Sequence, residues 1–262
     1  MIARPTDPSE VGQTARMTIE RDEELVALQH AGRTVRATMD AMAAALEPGM
    51  TTLELDRVGE AFAELRGGTS GPRRFYDFPG FSCISIDDEA VHGVPGSRVV
   101  EAGDLVKIDV ALEVGGYLAD SCTTVAVPPV SARSARIMGA ARSAMAVGIE
   151  RARHGKAINR IGRAVEDEAR RHGAHVVREL GGHGIGRHIH EKPSVQNYYA
   201  PRDTYRLPVG LVLTIEPTVA ETDAGIHLAD DGWTLRTNDG ALAAQFEHTV
   251  VVTRGRPLLL TA

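Results

Sequence analysis

Residues 104–125 read DLVKIDVALEVGGYLADSCTTV. Val106, Ile108, Val110 and Leu112 fall on one parity, and Lys107, Asp109 and Ala111 on the other. That is the period-two pattern of a strand with one apolar face. A two-residue turn at Val114-Gly115 makes the stretch a β-hairpin. Asp109 and Asp120 then lie directly opposite each other, on the face away from the apolar set. Like charges so placed destabilise a sheet, and they call for a cation, a shared proton or solvent. An exposed hairpin with scattered acids is the plain alternative.

Three further stretches bear on that choice. In GLVLTIEPTV (210–219), apolar and β-branched residues lead into Glu216. ALAAQFEHTVVV (241–252) sets Glu247 inside a strand-like run, and GGHGIG (181–186) sets His183 between glycines, which let a backbone approach a site closely. A carboxylate within such a strand is costly unless paired or metal-bound. Each residue alone is more often structural. Together Asp109, Asp120, His183, Glu216 and Glu247 make an oxygen-rich set suited to two divalent ions of the Mn, Fe or Co kind. Four carboxylates would offset two M²⁺ ions.

The pattern outward is helices, strands, helices, strands. Leu25, Leu28, Ala31, Val35, Met39 and Met42 recur at helical spacing between about Ile19 and Leu46, before Pro48-Gly49. A second helix starts at Thr52, with Thr51 or Thr52 as N-cap and Gly67-Gly68 as stop. Strands are expected over 81–126, helices over about 131–153 and 157–172, and strands again over about 174–253. AGDLVKIDVAL (102–112) echoes VGLVLTIEPTV (209–219), aligning Asp109 with Glu216, and VHGVPG (91–96) echoes GHGIGR (182–187). The expectation is an α+β protein of two similar halves. Residues 1–17 lack periodicity and read as a flexible leader, leaving 18–262 as one domain.

With 262 residues, 43% of them hydrophobic, and a formal net charge of −6, the chain reads as globular and not as a polybasic nucleic-acid binder. No apolar run approaches bilayer-spanning length. Cys83 and Cys122 cannot make a disulfide framework, so a reduced cytoplasmic protein is expected. Segment 131–173 is locally basic, with ten Arg and Lys against four acids. Solvated helix faces are the plain reading, and docking to an anionic partner such as ribosomal RNA the sharper one. HIHEK is not HExxH, GHGIGR lacks the spacing of a dinucleotide loop, and neither a GxSxG elbow nor a Walker loop is present.

The ordered motifs HGVPG (92–96), VKIDV with Asp109, Asp120, GHGIGRHIHEKP (182–193), TIEP (214–217) and QFEHTVVVT (245–253) resemble the type I methionine aminopeptidases, from about Ile19 to Thr253. The resemblance implies the pita-bread fold shared with creatinase: two pseudo-symmetric halves with a curved, mostly antiparallel sheet covered by helices. It implies Asp109 and Asp120 as ligands of one metal, His183 and Glu216 of the other, with Asp120 and Glu247 bridging. His92 and His190 match the substrate-contacting histidines, and Trp233, Phe75, Phe78, Cys83 and Ile189 match pocket positions. His188 falls at a variable position and is read as structural. The chain departs from the family at Val91 (often Cys), Asp87 (often Asn), Leu180 (usually aromatic) and Ile189 (often Phe). The Ile189 change would shift side-chain preference by about 1–3 kcal/mol.

The implied reaction removes the N-terminal methionine from peptides with a small second residue. Substrates are then peptide and protein N-termini, with Glu216 accepting the water's proton and His190 and His92 steadying the carbonyl and amide. A prolidase or X-Pro peptidase of the same fold is the enzyme rival. Those usually carry an additional N-terminal domain, for which the stretch before Cys83 has no room. A non-catalytic binding protein is the rival of another class. No membrane or specific DNA partner is expected.

Overall fold

The structure, a computed structural model, describes residues 17–262. The expected leader lies outside the described residues except for Met17, which is buried, its backbone N–H donating to the carboxylate of Glu191 at 2.5 Å.

Among the described residues five helices form: α1 (Asp22–Ala45), α2 (Thr52–Glu64), α3 (Gly71–Tyr76), α4 (Ala132–Arg151) and α5 (Asn159–Arg171). In α1 the positions Leu28, Ala31, Val35, Met39 and Met42 are buried, so the helical spacing is the core stripe. Helix α2 opens on a capping box: Thr51 Oγ accepts from the Glu54 amide at 3.2 Å, and Glu54 Oε2 accepts from the Thr51 amide at 2.7 Å. The short α3 was not anticipated. It starts at Ser70, whose hydroxyl accepts from the Arg73 amide, with a proline in the first turn, and stops at Asp77 in the left-handed region.

The strand Leu105–Val114 is central in the first sheet. It pairs with Tyr117–Ala126 on one side and with Cys83–Ile86 and Gly68–Ser70 on the other, all antiparallel. The hairpin turn is Gly115-Gly116, one residue later than expected, and both glycines have positive φ, a conformation Val114 would adopt only under strain. Asp109 therefore faces Cys122, and Asp120 faces Ala111. Moving the turn by one residue moves each partner by two, so the two acids keep a common face and become diagonal neighbours instead of opposites.

Val106, Ile108, Val110 and Leu112 pack beneath α1 and α2 with Val35, Met39 and Leu55. The second sheet runs in the order Leu258–Leu259, His248–Val251, Val212–Ile215, Gly181–Gly184, Glu191–Gln196. Its apolar side, including Leu213, Ile215 and Val250, packs against Ala144 of α4 and Ile161 and Val165 of α5. Each half is thus a helix pair over an antiparallel sheet, as the internal echo implied.

The halves are joined by hydroxyls along 120–124 and 245–249. Thr249 Oγ accepts from the Asp120 amide at 2.9 Å and donates to its carbonyl at 2.7 Å. Ser121 Oγ donates to the Glu247 carbonyl at 2.6 Å, and the Glu247 amide donates to the Cys122 carbonyl at 2.9 Å. Thr124 Oγ accepts from the Gln245 amide and donates to its carbonyl. This seam sets Asp120 of one half beside Glu247 of the other.

Lys107 is almost fully buried, with Nζ donating to the carbonyls of Asp87 and Ala243 at 3.0 Å each. It ties the first sheet to the second half. Asp87 itself has φ +52, a region where Asp and Asn are enriched.

Candidate metal centre

The seam and the second sheet bring the acids together. Asp120, His183 and Glu247 each direct one ligand atom into a single group within 4.8 Å, and all three are buried. Asp109 lies within electrostatic reach of Asp120 and Glu216, and Glu247 of Asp120, Glu216 and Asp109. Glu216 Oε1 lies 3.3 Å from His183 Nε2. Three of the five expected donors thus form one compact group, with Glu216 beside it and Asp109 within electrostatic reach.

Burial, followed by repulsion among these acids, holds Asp109 and Glu247 well above the usual carboxylate range. Burial raises Asp120 to about 6 and Glu216 to about 8. Asp120 Oδ1 and Glu247 Oε1 are buried with no hydrogen-bond partner in the protein. Such orphaned carboxyl oxygens are costly in a folded chain and fit a cation.

The imidazole fits as well. His183 Nδ1 lies 2.9 Å from the Gly184 carbonyl, so it carries the proton and donates, leaving the Nε2 lone pair facing the acids. The flanking glycines are required by close approach. A Cβ on Gly182 would meet the Thr214 carbonyl at 2.5 Å, and one on Gly184 the Lys192 carbonyl at 2.4 Å. Burial lowers His183 and His92 to about 4 and His190 well below its usual value. All three rings are neutral at pH 7, and they lie near enough to sense one another.

His92 has φ +58, uncommon for a non-glycine residue and often met at functional sites. Its carbonyl accepts from Thr234 Oγ at 3.4 Å, which links it to the loop carrying Trp233. Trp233 meets Phe78 edge-on with centroids 5.2 Å apart. Phe75 meets His188 edge-on at 5.8 Å and shares a cluster with buried Ile189. Cys83 is buried and is the strand partner of Asp109. The His190 ring lies 4.1 Å from that of His183, and its Nδ1 is hydrogen-bonded to the Tyr76 hydroxyl.

Several supporting residues escaped the sequence reading. Thr214 Oγ accepts from the His183 amide at 2.9 Å and donates to Glu216 Oε1 at 2.6 Å, and Gln245 Nε2 reaches Glu216 Oε2 at 3.4 Å. Both stand two residues before an acid, hence on the same strand face; that parity was the available signal. Buried Asp56 accepts from the amides of Phe81 and Ser82 and from Ser82 Oγ, fixing the segment that leads into Cys83. Buried Glu191 accepts from the amides of Arg187 and His188, shaping the turn that presents His190. These contacts join residues far apart or in irregular turns, where periodicity is silent.

Residues 26–254 match the metallopeptidase family M24. The chain belongs to that family. It is 41% identical over 247 residues to methionine aminopeptidase 2 of Bacillus subtilis, covering 94% of this chain and 99% of that one. The crystal structure of methionine aminopeptidase from Rickettsia prowazekii superposes with a TM-score of 0.90 at 32% identity, over 94% of this chain and 100% of that one. The prolidase from Pyrococcus furiosus shares the fold, with a TM-score of 0.75 at 22% identity over 94% of this chain and 66% of that one. The expected pita-bread fold, the aminopeptidase resemblance and the hydrolase class are borne out. Membership of a metallopeptidase family implies divalent metal ions and peptide substrates. Among the described residues no helix is long and apolar enough to cross a membrane.

The basic helices spend much of their charge internally. Arg133 and Arg136 pair with Glu221, Arg171 with Glu168, and Arg170 with Glu166 and Asp167.

Proposed function

We propose that this chain is a cytosolic methionine aminopeptidase, hydrolysing the first peptide bond of polypeptides that begin with methionine followed by a small residue. The carrying observation is the compact group of Asp120, His183 and Glu247, with Glu216 beside His183, Asp109 within electrostatic reach, and the orphaned oxygens Asp120 Oδ1 and Glu247 Oε1 between the halves. In this reading Asp109, Asp120, His183, Glu216 and Glu247 would together hold two divalent ions. When bound, such a pair lowers the pKa of a water and polarises the scissile carbonyl, and Mn, Fe and Co suit the donor set.

The chain's own residues do the remainder. Thr214 donates to Glu216 Oε1, which orients the carboxylate while it accepts the proton of the attacking water. His190 donates a hydrogen bond to the carbonyl oxygen as negative charge develops there. His92, neutral through burial, steadies the amide nitrogen of the leaving chain. Phe78, Trp233, Phe75, Ile189 and Cys83 supply the apolar walls that take the methionine side chain and exclude water.

The test is a peptide panel with varied first residue, run on protein reconstituted with Mn, Fe, Co or Zn. Release of methionine from Met-Ala-Ser, lost on chelation, is expected. Preference for Ala-Pro peptides would favour the prolidase reading that the shared fold leaves as the rival. Absence of both cleavage and stoichiometric metal would favour a binding protein. Docking to ribosomal RNA through α4 and α5 is a separate proposal, tested by salt-dependent co-sedimentation with ribosomes.

A further inference from the structure

A neutral imidazole carries a single N–H, so His190 can donate toward the metal centre from Nε2 only if Nδ1 is the unprotonated nitrogen. Backbone carbonyls commonly settle this choice, as Gly184 does for His183. No backbone group takes that part for His190 among the described residues. Its Nδ1 instead meets the hydroxyl of Tyr76, with the two rings 5.4 Å apart and tilted by 53°.

We propose that Tyr76 is a positioning residue of the active site: its phenol O–H donates to His190 Nδ1, fixing the tautomer with the proton on Nε2 and aiming that N–H at the scissile carbonyl oxygen. This rests on the reading of His190 as the group facing that oxygen. The direction of the bond follows from the inventory of partners. The Tyr76 hydroxyl is partly buried, and His190 is its only hydrogen-bond acceptor among the described residues. A phenol removed from water keeps its proton bonded. The opposite tautomer would make Nδ1 the donor, strip the phenol hydrogen of its acceptor, and leave Nε2 unable to donate.

The geometry is held from both sides. Tyr76 is the last residue of α3, whose start is fixed by Ser70 accepting from Arg73 and whose arginines Arg73 and Arg74 pair with Glu60 and Glu113. His190 is set by the Glu191 turn and lies against His183, with ring centroids 4.1 Å apart. Two rigid supports thus present one phenol to one imidazole. A group that orients the far nitrogen of an active histidine commonly changes activity by about 10–100-fold when removed.

Tyr76→Phe deletes the hydroxyl and keeps the ring. Expected results are a fall in kcat on Met-Ala-Ser of about 10–100-fold with KM and bound metal unchanged, and a tautomer signal for His190 that moves from the Nε2–H form toward a mixture in ¹⁵N spectra of histidine-labelled protein. His190→Ala and the double variant complete a cycle: if Tyr76 acts only through His190, the double variant is no slower than His190→Ala. An unchanged tautomer in Tyr76→Phe, or losses that multiply in the double variant, would overturn the proposal. The spectra are read whether or not methionine is the residue released, so failure of the aminopeptidase reading leaves the Tyr76 test decisive.

Discussion

Thr249 holds Asp120 by both of its backbone groups, accepting from the amide at 2.9 Å and donating to the carbonyl at 2.7 Å, with no exposure of its own side chain. One hydroxyl thereby fixes a carboxylate of the first half against the second. Thr249→Val keeps the shape and removes both bonds. A loss of about 1–3 kcal/mol per unsatisfied buried group is expected, read by urea unfolding of the metal-free protein. Wild-type stability in that variant would mean the seam does not depend on this contact.

The diagonal pair Asp109 and Asp120 makes opposite demands of the metal-free and metal-loaded protein. Asp109→Asn removes one of four mutually repelling acids. The metal-free variant is expected to gain up to about 1 kcal/mol, roughly 2–4 °C in Tm for a chain this size. It should also lose bound metal and turnover together. Retention of both, measured by elemental analysis and the peptide assay, would remove Asp109 from the ligand set.

The raised carboxyls make metal-free stability depend on pH. Folding lifts Glu216 from 4.5 to about 8, so between those values the folded chain binds more protons than the unfolded one, and stability falls as pH rises. His92 and His183, lowered from 6.5 to about 4, work in the opposite sense but only below pH 6.5. The window from pH 6.5 to 8 therefore belongs to the carboxyls. In chelator, Tm is expected to decline across it, and saturating Mn²⁺ should flatten the decline. A chelated protein with constant Tm from pH 6.5 to 8 would contradict the acid cluster.

Thr214 touches two of the proposed ligands at once. Thr214→Val is expected to weaken metal affinity or kcat by about 10–100-fold with little change in fold content. Titration of the apo variant with Mn²⁺, followed by calorimetry, separates the two effects. An affinity and rate equal to wild type would reduce Thr214 to a packing residue.

Asp56 offers a control away from the chemistry. It is buried and accepts three hydrogen bonds from the 81–82 segment. Asp56→Ala should cost about 1–3 kcal/mol for each stranded donor. Metal content of the protein that remains folded should be normal. Lost metal with intact stability would point instead to a direct role.

Much of this arrangement was legible in the chain itself. Alternation in 106–112 assigned the apolar set to the helices and Asp109 to the other face, and the glycines around His183 announced a close backbone approach. The N-cap at Thr51 or Thr52 needed only local chemistry, and the structure places it at Thr51. Strand parity, helical period and turn chemistry are local properties, and local properties survive being read without coordinates.

Tertiary structure decided what depends on partners distant in sequence. The hairpin turn is a local feature, expected one residue too early, since Gly115-Gly116 accept positive φ and make Asp109 and Asp120 diagonal instead of opposite. Thr249, Thr214 and Tyr76 acquired their parts only when folding brought them to Asp120, Glu216 and His190. A hydroxyl in a sequence names no partner, because a short-range hydrogen bond carries no mark of where along the chain its other half will come from.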